Sequence, residues 1–340
     1  VYGLYQIVYF TIIDILRMFK SPFFLLIISI IYYQYKKHTK RPLMATLNSL
    51  FFGAIGGIIA TVAFLYLQVY LIPMDFIYIL IVAIILSLID TRFICFSYGG
   101  SLVVLSHLIF GFPQVDAYEL MLLVAVLHMV EAVLIILSGN HQNSIAYFPI
   151  NFEEVGGYVF NRIWPLTLVL FIGDTMIRPI TVIALLSYGD FTVSYSPKRK
   201  TVLSGIILFF YGLILFKITL LKISPYLPPI LAIIGHEFII HLNKYRERTR
   251  VPLYTIPKRG IRVFHVKNNS IAKKLGISKG DIVLRINDLE VKEQKDLLDL
   301  ERLKQDSYKI EFFNLKKGLV VKTYRGKRKN LGIVTLPKVL

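Results

Sequence analysis

Leu120-Met121-Leu122-Leu123-Val124-Ala125-Val126-Leu127-His128-Met129-Val130-Glu131-Ala132-Val133-Leu134-Ile135-Ile136-Leu137 is a run of eighteen residues in which only His128 and Glu131 ionise. Lipid offers the backbone no hydrogen-bond partners, so a segment of roughly 20 apolar residues is read as a membrane-crossing helix. The same texture recurs on both sides, near Pro22–Tyr35, Leu50–Leu71, Phe76–Ile89, Phe93–Phe112, Val202–Leu221 and Pro228–Leu242. The chain as a whole agrees: 55% of its 340 residues are hydrophobic and only 18% are charged, against about a quarter charged in soluble domains.

The charge is unevenly placed. From Val251 to Leu340 there are 21 Lys and Arg against 9 Asp and Glu, a balance of +12 out of the total of +18. Two parts with different solvents follow: a multi-span helical domain over 21–245, then a basic linker over 246–257 and a small α+β domain over 258–340. Basic clusters at Lys36, Lys37, Lys40 and Arg41, at Lys198, Arg199 and Lys200, and at Lys244, Arg246, Arg248 and Arg250 mark cytoplasmic loops. They put the N-terminus outside and the C-terminal domain inside. Gln6, Asp14 and Arg17 fall near one face of residues 1–20, which reads as an interfacial amphipathic helix. Residues 163–188 carry Gly173, Asp174, Arg178 and Pro179 in mid-run, so they are expected to form a re-entrant or broken hairpin, or else one plain span.

After Pro257 the texture changes to short strands. Ile261, Val263, Phe264 and Val266 mark a half-buried strand. Ser270-Ile271-Ala272 opens a helical turn, and Gly276 is free to take the left-handed conformation that ends it. Gly280-Asp281 turns into a strand over Ile282–Ile286, and Asn287-Asp288 turns again. Glu293–Leu303 reads as a helix with Leu297, Leu298, Leu300 and Leu303 as its apolar stripe. Tyr308–Phe313, Leu319–Tyr324 and Ile333–Leu336 are closing strands.

The motif that invites chemistry is His236-Glu237-Phe238-Ile239-Ile240-His241. Zinc proteases carry H-E-x-x-H, whose histidines share one helix face. Here the spacing is i, i+5, which separates the side chains by about 140° around the helix, so this pair has no shared metal. His128 and Glu131 stand three apart, close enough to pair with each other. Ionisable groups at membrane depth are functional suspects, yet structural pairing accounts for these. A transporter reading has only the broken 163–188 segment behind it, without the matching broken helices of internal repeats. Cys95, the one cysteine, excludes an intramolecular disulfide framework and a thiolate cluster. The basic balance fits anionic lipid headgroups, and no nucleic-acid signature is present.

The series from Gly260 through Ser270-Ile271-Ala272, Leu275-Gly276-Ile277, Gly280-Asp281-Ile282 and Asn287-Asp288 resembles a PDZ domain of the bacterial kind. Ile271 stands where that pattern has proline, and Asp288 where it has the turn glycine. The resemblance implies binding by strand addition, with Arg259, Gly260 and Ile261 as the carboxylate loop, Ile261, Arg262, Val263 and Phe264 on the pairing strand, and Leu297 and Leu300 on the far wall. The order of spans and terminal domain, with Asp90–Gly100 and Leu331-Gly332-Ile333-Val334, resembles the MinJ-like cell-division topological determinants and related clostridial PDZ-containing membrane proteins. That family implies a scaffold in the cell membrane, enriched at septum or pole. It bridges DivIVA-like and MinD-like division proteins, with homo-oligomers compatible and no catalysis or cofactor.

Overall fold

The computed structural model describes residues 9, 13, 17–69, 73–150, 153–172, 178–292, 295–297, 299, 306–314, 316–326 and 330–336. Most of the amphipathic helix expected over 1–20, including Gln6 and Asp14, most of the 293–303 helix including Leu300, and Gly173 and Asp174 lie outside them. The described chain runs α1 (Pro22–His38), α2 (Pro42–Leu67), α3 (Pro73–Ser87), a 3-10 turn (Thr91–Ile94), α4 (Phe96–Phe110), α5 (Ala117–Ser138), β1 (Ser144–Ile150), β2 (Glu153–Ile172), β3 (Arg178–Thr192), α6 (Pro197–Leu221) and α7 (Leu227–Thr249). A sheet-rich region follows. Its elements are β4 (Ile261–Val266), α8 (Ile271–Lys274), β5 (Ile282–Ile286), β6 (Leu289–Glu290), β7 (Ser307–Asn314), β8 (Gly318–Arg325) and β9 (Ile333–Thr335). Two compact units divide these elements. One comprises 1–144, 160–190 and 196–245; the other comprises 145–159, 191–195 and 246–340.

Among the described residues, three helices are long and apolar enough to cross a membrane: α2, α5 and α6. Met74–Leu86 and Phe96–Phe110 are apolar but shorter. In the first unit α5 is the hub, packed against α2, α4 and α6. It is apolar on every side and mostly buried, as such a helix tends to be; Leu120, Met121, Leu123, Val124 and Ala125 are all fully enclosed, while Ile136 and Leu137 near its end are exposed. Its closest neighbour, α6, approaches through glycines. A Cβ on Gly205 would stand 2.8 Å from the Ala132 carbonyl oxygen, and one on Gly212 would stand 2.9 Å from Met129 Cγ. Small residues of this kind let helix backbones close on each other.

The described residues of 163–188 are strand and not helical half-spans or one plain span: 163–172 lie in β2 and 178–188 in β3, in a three-stranded sheet ordered β1-β2-β3. Buried strands read as continuous apolar runs, so periodicity alone does not separate them from a buried helix. The β2 backbone fits α2 step for step. Gly53 faces Pro165, Gly57 faces Thr167, and the Val169 N–H donates to Thr61 Oγ1 at 3.0 Å. Four residues of helix rise about 6 Å and two of strand about 6.6 Å, so a stripe at i, i+4, i+8 meets alternate strand residues. Pro165 has no N–H to satisfy on that side. The Ile163 N–H donates to the Tyr35 hydroxyl at 3.3 Å, and fully buried Arg162 donates to Asn48 Oδ1 at 2.7 Å. Lys200, counted above as a loop charge, is buried instead and pairs with Asp190 at 3.2 Å.

The second unit has a sheet ordered β8-β7-β5-β4-β9, with β6 beside β5. Its turns follow the local chemistry. Gly276 and Gly280 have φ of 73° and 95°, and Asn287 and Asp288 have φ of 50° and 67°, the left-handed region these residue types tolerate best. Ser270 caps α8 by accepting from the Lys273 N–H at 3.2 Å. Residues 246–257 are no free linker. Glu247 accepts from the N–H groups of Val193 and Ser194 and from the Thr192 and Ser194 hydroxyls. The N–H of Leu253 donates to Val193 O, and that of Gly156 to Tyr254 O.

An aromatic cage closes this unit. The Lys279 ammonium lies 4.2 Å from the Tyr158 ring centre, 4.8 Å from Tyr254 and 5.8 Å from Phe264. Desolvation by these rings pulls its pKa down from 10.5 to about 8, while burial holds Tyr147 and Tyr254 above their ordinary 10. From pH 8 to 10 the unfolded chain therefore binds the proton that the folded one has released, and stability rises with pH. The sheet's urea midpoint, followed by circular dichroism on the full chain in detergent, is expected to increase over that window. Lys279→Met is expected to flatten the rise.

Candidate functional sites

The first unit gathers its reactive side chains at one place. Asp90 caps the 3-10 turn, its side chain accepting from the Arg92 N–H. The turn ends at Cys95, the residue that enters α4. The Gly100 site then allows α4 to close on α5, since a Cβ there would stand 2.7 Å from Val124 Cγ2. One turn beyond Val124 on α5 is His128. On α7, Ala232 accepts from the hydroxyls of Ser97 and Tyr211, both at 2.6 Å. Gly235 leaves room for the Tyr211 ring, 2.6 Å from where its Cβ would be. His236 is thereby delivered to the same point.

There Cys95 Sγ lies 3.7 Å from His128 Nε2 and 3.6 Å from His236 Nε2, and the three ligand atoms lie within 4.8 Å of one another. Both imidazoles have their other nitrogen engaged. His128 Nδ1 is 2.7 Å from the Val124 carbonyl, an acceptor only, so Nδ1 carries the proton. His236 Nδ1 is 3.1 Å from the Tyr98 hydroxyl, which donates in turn to Glu237 Oε1 at 2.7 Å, so again Nδ1 is the donor. Glu237 continues to Arg92 at 3.4 Å, and Arg92 to Asp90 at 3.3 Å. The chain of contacts thus runs from the buried imidazole to the exposed end of the 3-10 turn. Glu131, also buried, is near enough to Cys95 and Tyr211 to act on both electrostatically.

This arrangement revises the sequence reading of the histidines. His128 turns both ring nitrogens to Val124 and Cys95, so the expected His128–Glu131 pairing does not form. His241 stays largely exposed and contacts its own helix through Glu237. His236 finds its partners 141 and 108 residues away. A search for spacing inside one helix misses such a set. The available signal was a cysteine and two histidines set in three separate, largely apolar segments.

The second unit holds the residues assigned to peptide capture, and it uses them differently. Gly260, Ile261, Val263, Phe264 and Leu297 are buried, most of them in the sheet's core. Arg262 donates to the carbonyls of Thr255 and Gly280. Arg259 alone of the described set is exposed. The expected pairing strand, β4, has no open edge: β5 takes one side through Ile261 and Arg262, and β9 takes the other through Val263, His265 and Val266. Among the described strands, the sheet instead ends at β9 on this side and at β8 on the other. Gly332 O and Leu336 N bond back toward Lys267 and Arg262 of the β4 side, so alternation turns the N–H and C=O of Ile333 and Thr335 outward. Tyr147 donates to the Thr335 carbonyl at 2.9 Å. Gly332, with φ 70°, makes the turn that leads into this edge, after the run Lys327-Arg328-Lys329. Sequence reasoning stopped at β4 because strand order is a long-range property.

No protein-family model matches this chain, and no curated protein matches it.

Proposed function

We propose that the protein is a membrane-anchored adaptor whose C-terminal unit is PDZ-like and takes up an extended segment of a cytoplasmic partner by strand addition. The observation that carries this reading is β9, which stands at one end of the sheet among the described strands, turns the main chain of Ile333 away from β4 and is entered through the left-handed Gly332. An exposed strand edge is a ready template for another chain, and main-chain pairing of this kind supplies affinity in peptide-recognition sheets. The basic run before Gly332 favours an acidic or carboxylate-bearing segment. The resemblance to MinJ-like proteins points to division-site partners of the DivIVA and MinD kinds and to the septum or pole as the place of action.

The test is a fluorescent fusion of the full chain in dividing cells of the source organism. Enrichment at septum or pole is expected, and a diffuse membrane signal overturns the reading. Ile333→Pro removes an outward N–H while leaving the Gly332 and Leu336 bonds to the β4 side in place. It is expected to disperse the signal without lowering the amount of folded protein. Unchanged enrichment would remove β9 as the recognition edge.

A further inference from the structure

We propose that Cys95 Sγ, His128 Nε2 and His236 Nε2 bind one zinc ion inside the membrane unit. This inference is independent of the adaptor reading, which uses only the C-terminal unit.

The geometry supplies the first argument. Zinc holds thiolate sulfur at about 2.3 Å and imidazole nitrogen at about 2.0–2.1 Å in a tetrahedral set, which spaces sulfur and nitrogen about 3.6 Å apart. The two sulfur–nitrogen separations are 3.7 Å and 3.6 Å. The ligands come from three separate elements: the entry to α4, the middle of α5 and the middle of α7. Only packing brings them together.

Hydrogen-bond accounting supplies the second. With both Nδ1 atoms committed as donors, both Nε2 atoms present bare lone pairs toward the same sulfur. A thiol has one proton and can satisfy one of them. A buried acceptor without a partner is costly, whereas a metal ion takes both lone pairs and the sulfur at once. Ligating histidines characteristically anchor the opposite nitrogen on a backbone carbonyl or through a hydrogen-bonded carboxylate. His128 does the first through Val124, and His236 does the second through Tyr98 and Glu237.

Charge supplies the third. Binding displaces the Cys95 thiol proton, which leaves with solvent or buffer, and zinc with one thiolate and two neutral imidazoles carries a single positive charge. Buried charge needs a counter-charge. The carboxylate of Glu131, three residues beyond His128 on α5, provides one. Three protein ligands leave a fourth position, the pattern of zinc centres that keep room for water or a small ligand.

The test is elemental analysis of the full chain purified in detergent. About one zinc per chain is expected in the wild type, with a tenfold or greater loss in Cys95→Ser and in His236→Leu. His241→Ala is expected to retain the metal. Cobalt exchanged into the wild type is expected to give a thiolate-to-cobalt charge-transfer band, lost in Cys95→Ser and kept in His241→Ala. Should either loss variant fail to fold, His236→Cys keeps a ligand atom at the position and is expected to retain zinc. Zinc below a tenth of an equivalent with no cobalt band in the wild type overturns the proposal, as does zinc unchanged by Cys95→Ser and His236→Leu. Stoichiometric copper in place of zinc overturns the assignment of the ion.

Discussion

Gly57→Leu is expected to abolish recovery of folded protein, and Gly57→Ala to lower stability by about 1–3 kcal/mol, the usual cost of overpacking a close-packed site. The reason is the identity of the neighbour. A Cβ at Gly57 would collide with the Thr167 carbonyl oxygen and stand 2.8 Å from the carbonyl carbon and 3.1 Å from the nitrogen. These are backbone atoms of β2, so no side chain can swing aside. The strand would have to leave α2, and with it would go the bonds from Val169 to Thr61 and from Arg162 to Asn48. Detergent-solubilised protein assayed by gel filtration and thermal unfolding reads the effect. Gly189→Ala is the matched control, since a Cβ there meets nothing within 4 Å; its change is expected to stay within about 0.5 kcal/mol. Equal tolerance at both positions would contradict the packing of β2 on α2.

The contrast between these glycines bears on what a sequence exposes. The strands of the C-terminal unit were legible because their boundaries are written in local chemistry: Ser270 as a cap, Gly276 and Gly280 in left-handed turns, Asn287-Asp288 between β5 and β6. The span of α5 was legible because eighteen apolar residues admit few other readings. Residues 163–188 were not, because Val169, Leu170, Ile183 and Leu185 belong equally well to a buried helix. What makes them strand is the Gly53-Gly57-Thr61 stripe more than a hundred residues earlier. The Cys95–His128–His236 cluster was hidden for the same reason, as was the paired edge of β4. Each depends on which elements become neighbours, and that information is spread over the whole chain.

The pair formed by Lys200 and Asp190 yields the other large effect. The two side chains are 4% and 12% exposed and lie 3.2 Å apart, and Ser204 and Tyr188 hydroxyls also donate to the Asp190 carboxylate, both at 3.3 Å. Removing one member of a buried ion pair strands the other charge and costs about 3–5 kcal/mol, whereas replacing both with apolar residues is often neutral or stabilising. Asp190→Leu is therefore expected to lower the thermal midpoint sharply, and Lys200→Met to do the same from the other side. The double variant Asp190→Leu with Lys200→Met is expected to recover much of the loss, and the double-mutant cycle isolates the coupling. Additive losses in the double variant would mean that the two charges act separately. Recovery would mean that Lys200 serves the fold, and that of the basic run at the start of α6 only Lys198 and Arg199 remain exposed to act on a membrane surface.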